Sequence, residues 1–280
     1  MAAVNLDYLV IGHVTRDLLN GDFTIGGTAS YSARTARVFS ERVGVVTSFG
    51  PQLDVSGAFS DIHIIRVPAE ATTTFKNEYT SNGRRQFVHS VAAPLGADAV
   101  PERWHPRVVH VGPIARECDP ALVERFDDDV FIGLTPQGWL RRWDAEGHVT
   151  WGPWSPSDEL LARVDAIIIS DEDVRGNPDL ICDYAARSQL LIVTHGVRGC
   201  TVYIEGERRS FLARPVEEID PTGAGDIFAA AYFTWLERTG DPWESARLAN
   251  CVATYSVTRS GLESVPTSDE VNRCKSVLER

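Results

Sequence analysis

Short apolar runs recur along the chain and alternate with segments whose apolar residues have helical spacing. The runs predict buried strands at 8–12, 43–47, 62–67, 108–111, 130–134, 166–169, 190–193 and 200–204. The helical pattern predicts helices at 28–39, 120–126, 224–238, 243–258 and 267–278, the last opened by the capping box Thr267-x-x-Glu270. The tryptophan-rich stretch 137–154 predicts an irregular loop and helix over one end of the sheet. Because strands that alternate with helices build a sheet covered on both faces, the whole pattern predicts an α/β fold with a mainly parallel central sheet.

Residues 70–92 interrupt this rhythm with two stretches that alternate in the β manner. They flank Asn82-Gly83, and Asn-Gly between two such stretches is the strongest short hairpin signal. We expect the hairpin to stand outside the main sheet as a lid, together with residues near 21–26, within a single domain spanning 1–280. The alternative is an edge hairpin that extends the main sheet.

Composition limits the classes of partner. Of 280 residues, 43% are hydrophobic and 24% charged, which is ordinary for a globular protein. The net charge of −12 leaves no basic surplus to neutralise nucleic acid, so we expect no nucleic-acid partner. Anionic ligands must then be held by backbone amides, Mg²⁺ and a few arginines. The two lysines, Lys76 and Lys275, lie outside Gly-rich loops, which excludes a Walker A phosphate site.

The N-terminal sequence and the cysteine spacing predict the localisation and the redox state. The N-terminus has no basic region ahead of an apolar run, and no apolar stretch is long enough to span a membrane. We therefore expect a cytoplasmic protein without a membrane partner. The five cysteines, at 118, 182, 200, 251 and 274, are scattered without CxxC spacing, so we expect reduced thiols rather than disulfides or zinc ligands.

The most informative stretch is Asp220-Pro221-Thr222-Gly223-Ala224-Gly225-Asp226, which leads directly into a nearly all-apolar helix. Gly223 and Gly225 lack a Cβ, so a ligand can approach the main chain closely. The unpaired amides of the first helical turn, with the positive end of the helix dipole, form an anion site. Asp226 lies in the same turn, and a phosphate on the amides with an alcohol on the carboxylate is the layout of phosphoryl transfer. The alternative is that Asp226 is an N-cap and the glycines only make a tight loop.

This stretch resembles the signature of the ribokinase (PfkB-type carbohydrate kinase) family, Asp-Thr/Pro-Thr-Gly-Ala-Gly-Asp. The resemblance implies a three-layer sandwich with a small β lid. It also implies phosphorylation of an alcohol by ATP with Mg²⁺, with a monovalent cation as a further candidate. It assigns the role of base to Asp226 and that of the anion hole to the amides of Gly223, Ala224 and Gly225.

Two further regions resemble the family's nucleotide half. The stretch 194–199 joins two predicted strands and is similar to the family's Thr-x-Gly-x-x-Gly, which touches the nucleotide phosphates, while residues near 250–261 are similar to the wall of its adenine pocket. By this resemblance the nucleotide-site candidates are Thr194, Gly196, Gly199, Asn250, Ala253 and Gly261. The residues themselves leave two alternatives open, a plain glycine turn in the first region and ordinary helix packing in the second.

Asp17 and the pair Gly26-Gly27 resemble the family's substrate half. There a carboxylate accepts hydrogen bonds from substrate hydroxyls, and the glycines let the backbone approach the sugar. Tyr31 stands where the family usually has Asn, which predicts stacking on a substrate ring. A core tyrosine on the predicted helix is the alternative.

Other positions depart from the family's usual residues. Its Asn-x-x-Glu, which organises Mg²⁺, falls on Ser170-Asp171-Glu172-Asp173, where Asp173 can reach the metal through water. The alternative is an N-cap with an acidic first turn. Together with Gln137 and Arg141, which become further substrate-site candidates, these departures resemble the myo-inositol 3-kinase branch.

The expected activity is therefore the phosphorylation of a hydroxyl on a small sugar or cyclic polyol such as myo-inositol. One alternative is a nucleoside or pentose kinase of the same fold, and another is a non-catalytic protein that binds a small ligand. The exposed edge of the lid hairpin can pair with a second copy, so a homodimer through the lid is a candidate assembly.

Overall fold

The computed structural model describes residues 3–19, 21–80 and 83–278. Its strands are β1 (Val4–Ile11), β2 (Thr15–Leu19), β3 (Asp22–Gly26), β4 (Val43–Phe49), β5 (His63–Pro68), β6 (Thr73–Thr80), β7 (Gly83–Ser90), β8 (Trp104–Val111), β9 (Phe131–Leu134), β10 (Arg141–Trp143), β11 (Val149–Trp151), β12 (Ala166–Ser170), β13 (Leu190–Thr194), β14 (Cys200–Ile204) and β15 (Glu207–Phe211). Its α-helices are α1 (Thr28–Phe39), α2 (Asp158–Arg163), α3 (Pro178–Arg187), α4 (Ala224–Thr239), α5 (Pro242–Ser256) and α6 (Ser268–Leu278). Short 3-10 helices lie at Ala97–Ala99, Pro120–Arg125, Pro136–Leu140, Gly196–Arg198 and Gly261–Ser264.

The larger sheet contains nine strands in the order β15-β14-β13-β12-β9-β8-β1-β4-β5. Every pair from β13 to β5 is parallel, and β14 and β15 extend one edge as antiparallel strands. Successive residues of β1 enter opposite cores, with Tyr8 and Val10 in one and Leu9 and Ile11 in the other. Residues of α1, α4, α5 and α6 pack in the first core, and residues of α2 and α3 in the second. The three-layer sandwich with a mainly parallel central sheet is thus confirmed.

A smaller sheet stands apart from the central one, in the order β3-β2-β6-β7. β2 pairs antiparallel with β3 and parallel with β6, and β6 pairs antiparallel with β7. The hairpin predicted at 70–92 is therefore formed outside the main sheet, and it does not extend that sheet. Ser81 and Asn82, from the predicted turn, lie outside the described residues.

Helix α4 is the central element of the first core. Residues 227–234 of this helix are all buried, and the helix packs against both α1 and α5. It begins after Gly223 and ends at Gly240, each in the left-handed conformation that glycine adopts most readily. The buried segment and the glycine at each end fix where the first turn of α4 lies.

Some elements differ from the sequence-based expectations. The segment predicted as a helix at 120–126 is a 3-10 helix, a form that usually occurs in short segments. The Asp119 side chain caps it by accepting a hydrogen bond from Ala121 N. The stretch 137–154 holds a 3-10 helix and the β10–β11 hairpin, because a turn at Gly147 with φ of 82° reverses the chain. β15, α2 and α3 had no prediction, and β15 is mostly exposed, with a polar sequence that lacks the apolar alternation of a strand.

The cysteine prediction is wrong at one pair. Cys251 and Cys274 form a disulfide, because α5 and α6 pack together and bring the two Cα atoms to 5.7 Å. Cys118, Cys182 and Cys200 are free thiols, as expected. The capping box at Thr267 is confirmed, since Thr267 N donates to Glu270 Oε2 at 2.8 Å and Glu270 N donates to Thr267 Oγ1 at 3.3 Å. Over the described part of the chain, no helix is both long and apolar enough to cross a membrane.

Candidate active site

The first turn of α4 presents backbone donors to one point. Gly223 caps the helix with φ of 80° and without a side-chain hydrogen bond, so Asp226 is not an N-cap. Ala224 N donates to Pro221 O at 3.1 Å. Within the described residues, the amides of Gly223, Gly225 and Asp226 have no protein acceptor. These free donors at a helix N-terminus form the kind of site that binds a phosphate.

Asp226 lies beside these amides with a partly buried side chain. The pKa of its carboxyl group is raised to about 6, mainly by burial and to a smaller extent by the charges of Asp173 and Asp17. A hydrogen bond from the Thr28 side chain and the charge of Arg141 act in the opposite direction. One carboxylate with a pKa near neutrality is thus surrounded by residues from β2, α1, β10 and the loop after β12.

The two glycines of the turn differ in their surroundings. A Cβ on Gly223 would lie 2.5 Å from the Tyr31 ring in a left-handed backbone, so this position requires glycine for local structure. A Cβ on Gly225 would meet no protein atom within 4 Å, and the residue has no positive φ. The turn therefore does not require glycine at Gly225, so the alternative that both glycines only make a tight loop does not account for this residue.

Tyr31 has the core position that was the alternative to a ligand contact. It is 2% exposed, and its ring lies against Gly223. Burial raises the pKa of its hydroxyl, and Asp17, Asp220 and Asp226 raise it further. The side chain therefore stands between the turn of α4 and Asp17. Its stacking on a substrate ring stays a prediction.

Asp17 and the glycine pair lie in contact with one another. A Cβ on Gly26 would lie 2.1 Å from Asp17 Oδ2, and Thr15 Oγ1 donates to Asp17 Oδ1 at 3.0 Å. Gly27 has φ of 85°, and a Cβ there would lie 2.3 Å from His13 O. Both glycines are needed for this close packing between the smaller sheet and the start of α1.

Gln137 and Asp173 are brought together from distant parts of the sequence. Gln137 Nε2 donates to Asp173 Oδ1 at 3.1 Å, and Ser170 N donates to Asp173 Oδ2 at 3.0 Å. The bond from Ser170 N to Asp173 is a local contact of the kind expected from the alternative, in which Ser170 is an N-cap followed by an acidic turn. Among the described residues, no group of three or more His, Cys, Asp or Glu side chains is placed to hold a metal ion directly.

Arg141 connects this group to the loop that follows β8. Its guanidinium donates to Ile114 O at 2.9 Å and lies over the Phe75 ring at 5.3 Å from the centroid. Phe75 belongs to β6 of the smaller sheet and is 2% exposed. Arg141 thus links the loop after β8 to the smaller sheet and lowers the pKa of Asp226.

The nucleotide candidates at 194–199 surround a second glycine turn. Gly199 has φ of 91°, and a Cβ there would lie 2.0 Å from Phe211 O, so glycine is required by packing. Gly196 has φ of 56° and open space around its Cβ position. Thr194 ends β13 and donates through Oγ1 to Ile169 O at 3.3 Å. The open side of this turn is therefore at Gly196.

The candidates near 250 show packing contacts. Asn250 is 7% exposed, and its Nδ2 donates to Phe211 O at 3.1 Å, which ties α5 to β15. Ala253 packs against the first core. Gly261 has φ of 57° and open space at its Cβ position. Helix packing accounts for the first two residues, and their contact with an adenine ring stays a prediction.

Three further groups escaped the sequence analysis. Thr28 hydrogen-bonds Asp226 from the first position of α1. His195 bridges Asp171 Oδ2 and Thr201 Oγ1, each at 2.9 Å. Glu117 is a buried carboxylate in the loop after β8. Thr28 directly follows Gly26-Gly27 at a helix start, which was a usable signal, whereas the other two act only through tertiary contacts.

Comparison with known proteins shows which family this chain resembles. A family model described as "pfkB family carbohydrate kinase" matches residues 167–268. The chain is 29% identical over 246 residues to a fructokinase of Klebsiella pneumoniae, covering 76% of this chain and 77% of that protein. It is 28% identical over 268 residues to a cytidine kinase of Thermococcus kodakarensis, covering 85% and 91%. It is 27% identical over 290 residues to an inositol 3-kinase of Zea mays, covering 94% and 74%.

Solved structures show the same fold. A pyrophosphate-dependent kinase in the ribokinase family, complexed with a pyrophosphate analog and myo-inositol, superposes with a TM-score of 0.77 at 19% identity, covering 95% of this chain and 99% of that one. Arabidopsis thaliana ribokinase, complexed with ribose and ATP, superposes with a TM-score of 0.72 at 17% identity, covering 98% and 99%. The chain is thus similar to carbohydrate kinases of the pfkB family, with residues 167–268 matching the family model and the ribokinase fold extending over 95% or more of the chain.

Proposed function

We propose that this chain transfers the γ-phosphoryl group of ATP to a hydroxyl of a small sugar or cyclic polyol, with Asp226 as the base. The observation that carries the proposal is the surroundings of Asp226. Its carboxylate stands beside three unpaired amides of α4 and within the electrostatic reach of Asp17, Arg141 and Asp173. A base with a pKa near the working pH, next to an anion site, is what transfer to an alcohol requires.

The acceptor hydroxyl would be held between Asp17 and Asp226. The hydroxyl oxygen forms the new bond to the γ-phosphorus, while the bond between that phosphorus and the bridging oxygen of ATP breaks. The hydroxyl proton passes to Asp226. The amides of Gly223 and Gly225 would face the oxygens of the transferred group, because backbone donors aimed at developing charge stabilise the transition state without reorganisation. The Ala224 amide, which the family resemblance also assigns to the anion hole, instead donates to Pro221 O.

Mg²⁺ fits the charge of this region. Asp17 and Asp173 both raise the pKa of Asp226, so the carboxylates repel one another and a divalent cation would relieve that repulsion. Since the described residues form no direct metal cluster, Asp173 would act through a metal-bound water and the phosphates would supply further oxygens. When bound, Mg²⁺ neutralises charge on the phosphates. We further propose Gly196, Thr194 and Gly199 as the phosphate-facing turn of the nucleotide site.

A cyclic polyol such as myo-inositol is the proposed acceptor class. The support is the pairing of Gln137 with Asp173, the position of Arg141 between the loop after β8 and the smaller sheet, and the similarity to an inositol 3-kinase over 94% of the chain. The smaller sheet, with segments near 21–26 and 70–92, would close over this acceptor as a lid. A carboxylate such as Asp17 accepts several hydroxyl donors, which suits a ring bearing many hydroxyls.

A nucleoside is the second candidate acceptor, favoured by the similarity to a cytidine kinase. A non-catalytic ligand-binding protein is less well supported. A binding protein has no use for a carboxylate whose pKa is raised to about 6 beside an anion site.

The test is a matrix of acceptors and donors with the purified chain. Acceptors are myo-inositol, fructose, ribose and cytidine, and donors are ATP and pyrophosphate, with phosphorylated product measured by ³¹P NMR. We expect product from ATP and an inositol, and none from Asp226→Asn. Preferred turnover of cytidine would overturn the acceptor class, and turnover only with pyrophosphate would overturn the donor. No product from any pair would overturn the proposed activity.

A further inference from the structure

Glu117 is a buried carboxylate to which the proposed reaction assigns no role. It is 3% exposed. Its Oε1 accepts from His13 N at 2.9 Å and Ile114 N at 3.0 Å, and its Oε2 accepts from Ile114 N at 3.0 Å and Ala115 N at 2.6 Å. All of these donors are backbone amides. No arginine or lysine forms an ion pair with Glu117 in the described part of the chain.

The amides belong to two loops that leave neighbouring parallel strands. His13 follows β1, and Ile114 and Ala115 follow β8, which pairs with β1 up to the register Ile11↔Val111. The loops run in contact, since a Cβ on Gly12 would lie 2.4 Å from Gly112 O. Without the carboxylate, buried amides of both loops would lose their acceptor, which is costly in a protein interior.

The loop after β8 leads from Glu117 to the reacting groups. Ile114 donates its N–H to Glu117, and its carbonyl accepts from Arg141 at 2.9 Å. Arg141 in turn acts on the charge of Asp226. The backbone of Ile114 thus directly connects the Glu117 carboxylate to the Arg141 guanidinium.

The loop after β1 leads from Glu117 to the smaller sheet. A carbonyl oxygen only accepts, so His13 Nε2 donates to Ala93 O at 2.9 Å and Nδ1 accepts from Thr73 Oγ1 at 2.7 Å. Thr73 opens β6, and the chain beyond His13 enters β2, which carries Asp17. The same carboxylate therefore supports the backbone that leads to Asp17 and the contact between the two sheets.

We propose that Glu117 is a positioning residue for the acceptor side of the reaction, holding the loops after β1 and β8 in the register that aligns Asp17 and Arg141 with Asp226. The inference rests on the proposed function. It concerns neither the turn of α4 nor the turn at Gly196, because Glu117 contacts neither of them.

The test uses Glu117→Gln, with Glu117→Ala as the stronger variant. Gln keeps one acceptor oxygen and turns an amide group toward the other N–H donors, so one buried contact is lost with little change of shape. Asp165→Asn is the matched control. Asp165 also holds a backbone amide, Ile132 N at 2.6 Å, but it lies just before β12, at the opposite end of the strands from the loops that Glu117 holds.

We expect Glu117→Gln to lower kcat/KM for the acceptor by roughly tenfold and Glu117→Ala by up to roughly a hundredfold, with KM for the donor unchanged. Combining Glu117→Gln with Arg141→Met should cost less than the product of the single effects, because both changes remove the same alignment. Asp165→Asn should leave both KM values and kcat unchanged. A purely structural role would instead lower the active fraction, so that kcat falls while both KM values stay at their wild-type values.

Amide hydrogen exchange gives a readout that does not depend on activity. In Glu117→Gln we expect faster exchange at 12–15 and 114–115 and unchanged exchange at 223–227. Wild-type exchange in both loops, multiplicative effects with Arg141→Met, or an equal loss in Asp165→Asn would overturn the inference. Failure of the proposed function is separate, because the wild-type chain would then phosphorylate no acceptor whatever Glu117 does to exchange.

Discussion

The two sides of the proposed site are built in different ways. The phosphate side, Gly223–Asp226, offers backbone amides from one continuous stretch at the start of a helix that is buried over residues 227–234. The polyol side, formed by Asp17, Gln137 and Arg141, offers side chains from two distant parts of the chain, and Gln137 pairs with Asp173 from a third. The first is fixed by local backbone geometry, and the second depends on how two sheets meet.

This difference separates phosphate binding, which is common to all donors, from the recognition of particular acceptor hydroxyls. Amides at a helix start bind any phosphate, because they recognise charge and shape common to all donors. Side chains that come from different elements can change singly, and each change alters which hydroxyls are accepted. The supports of the polyol side, such as Glu117, are accordingly the residues whose loss should alter acceptor use while donor binding is retained.

The largest expected effect comes from Asp226, where the two sides meet. Asp226→Asn should lower kcat by roughly 10²- to 10⁴-fold, because it removes the base with little change of shape. It should also raise Tm by a few degrees, since a neutral amide avoids the cost of burying a charge. Steady-state kinetics and thermal unfolding measure the two effects on the same sample.

Asp220→Asn is the control for that change. Asp220 lies in the same turn and accepts from Thr222 N through Oδ1, a bond that an amide oxygen also makes. Its kcat should stay near the wild-type value. Equal kcat values for the wild type and Asp226→Asn would remove the base from the proposal.

The pH dependence tests the same group without a mutation. The pKa of Asp226 is raised from 3.8 to about 6, so the base is ionised above that value and kcat/KM should fall about tenfold per unit below it. The stability effect has the opposite sign. Ionised Asp226 costs on the order of 3 kcal/mol above pH 6, and this cost is relieved as pH falls toward 4, because the folded state then holds a proton that the unfolded state does not. Unfolding of the wild type and Asp226→Asn should converge at low pH, and parallel stability curves would contradict the assignment.

Helix bounds and motifs that depend on neighbouring residues could be predicted from the sequence, whereas contacts between distant parts of the chain could not. The bounds of α1 match the predicted 28–39, and the signature at 220–226 marked the phosphate side. The disulfide between Cys251 and Cys274 had no spacing signal, because it depends on how α5 packs on α6. Asn250 is assigned by resemblance to an adenine wall, which stays a prediction, and its side chain bonds Phe211 O. Its polarity serves a contact between elements that a pattern along the chain does not contain.

Asp17 tests the polyol side alone. Asp17→Ala should raise KM for the acceptor by roughly ten- to a hundredfold, since substrate hydroxyls would be buried without an acceptor. KM for the donor should stay unchanged, because the amides of α4 are untouched. Asp22→Ala is a matched control, as Asp22 is an exposed carboxylate on β3 of the same sheet. A parallel rise in both KM values would mean that the two sides are not separable in the way their construction indicates.

The smallest changes distinguish the two glycines of the phosphate side. Gly223→Ala introduces a Cβ 2.5 Å from the Tyr31 ring in a backbone with φ of 80°, and both effects destabilise the fold, by about 1–3 kcal/mol together. Gly225→Ala places its methyl group in open space on a helical backbone, where alanine is favoured over glycine by up to about 1 kcal/mol. The first variant should lose stability, and the second should keep or gain it while raising KM for the donor, because its methyl group stands where the phosphate approaches. Thermal unfolding and donor KM measured on both variants separate the two roles. If Gly225→Ala binds the donor as tightly as the wild type, the phosphate lies elsewhere and the first turn of α4 serves only to cap the helix.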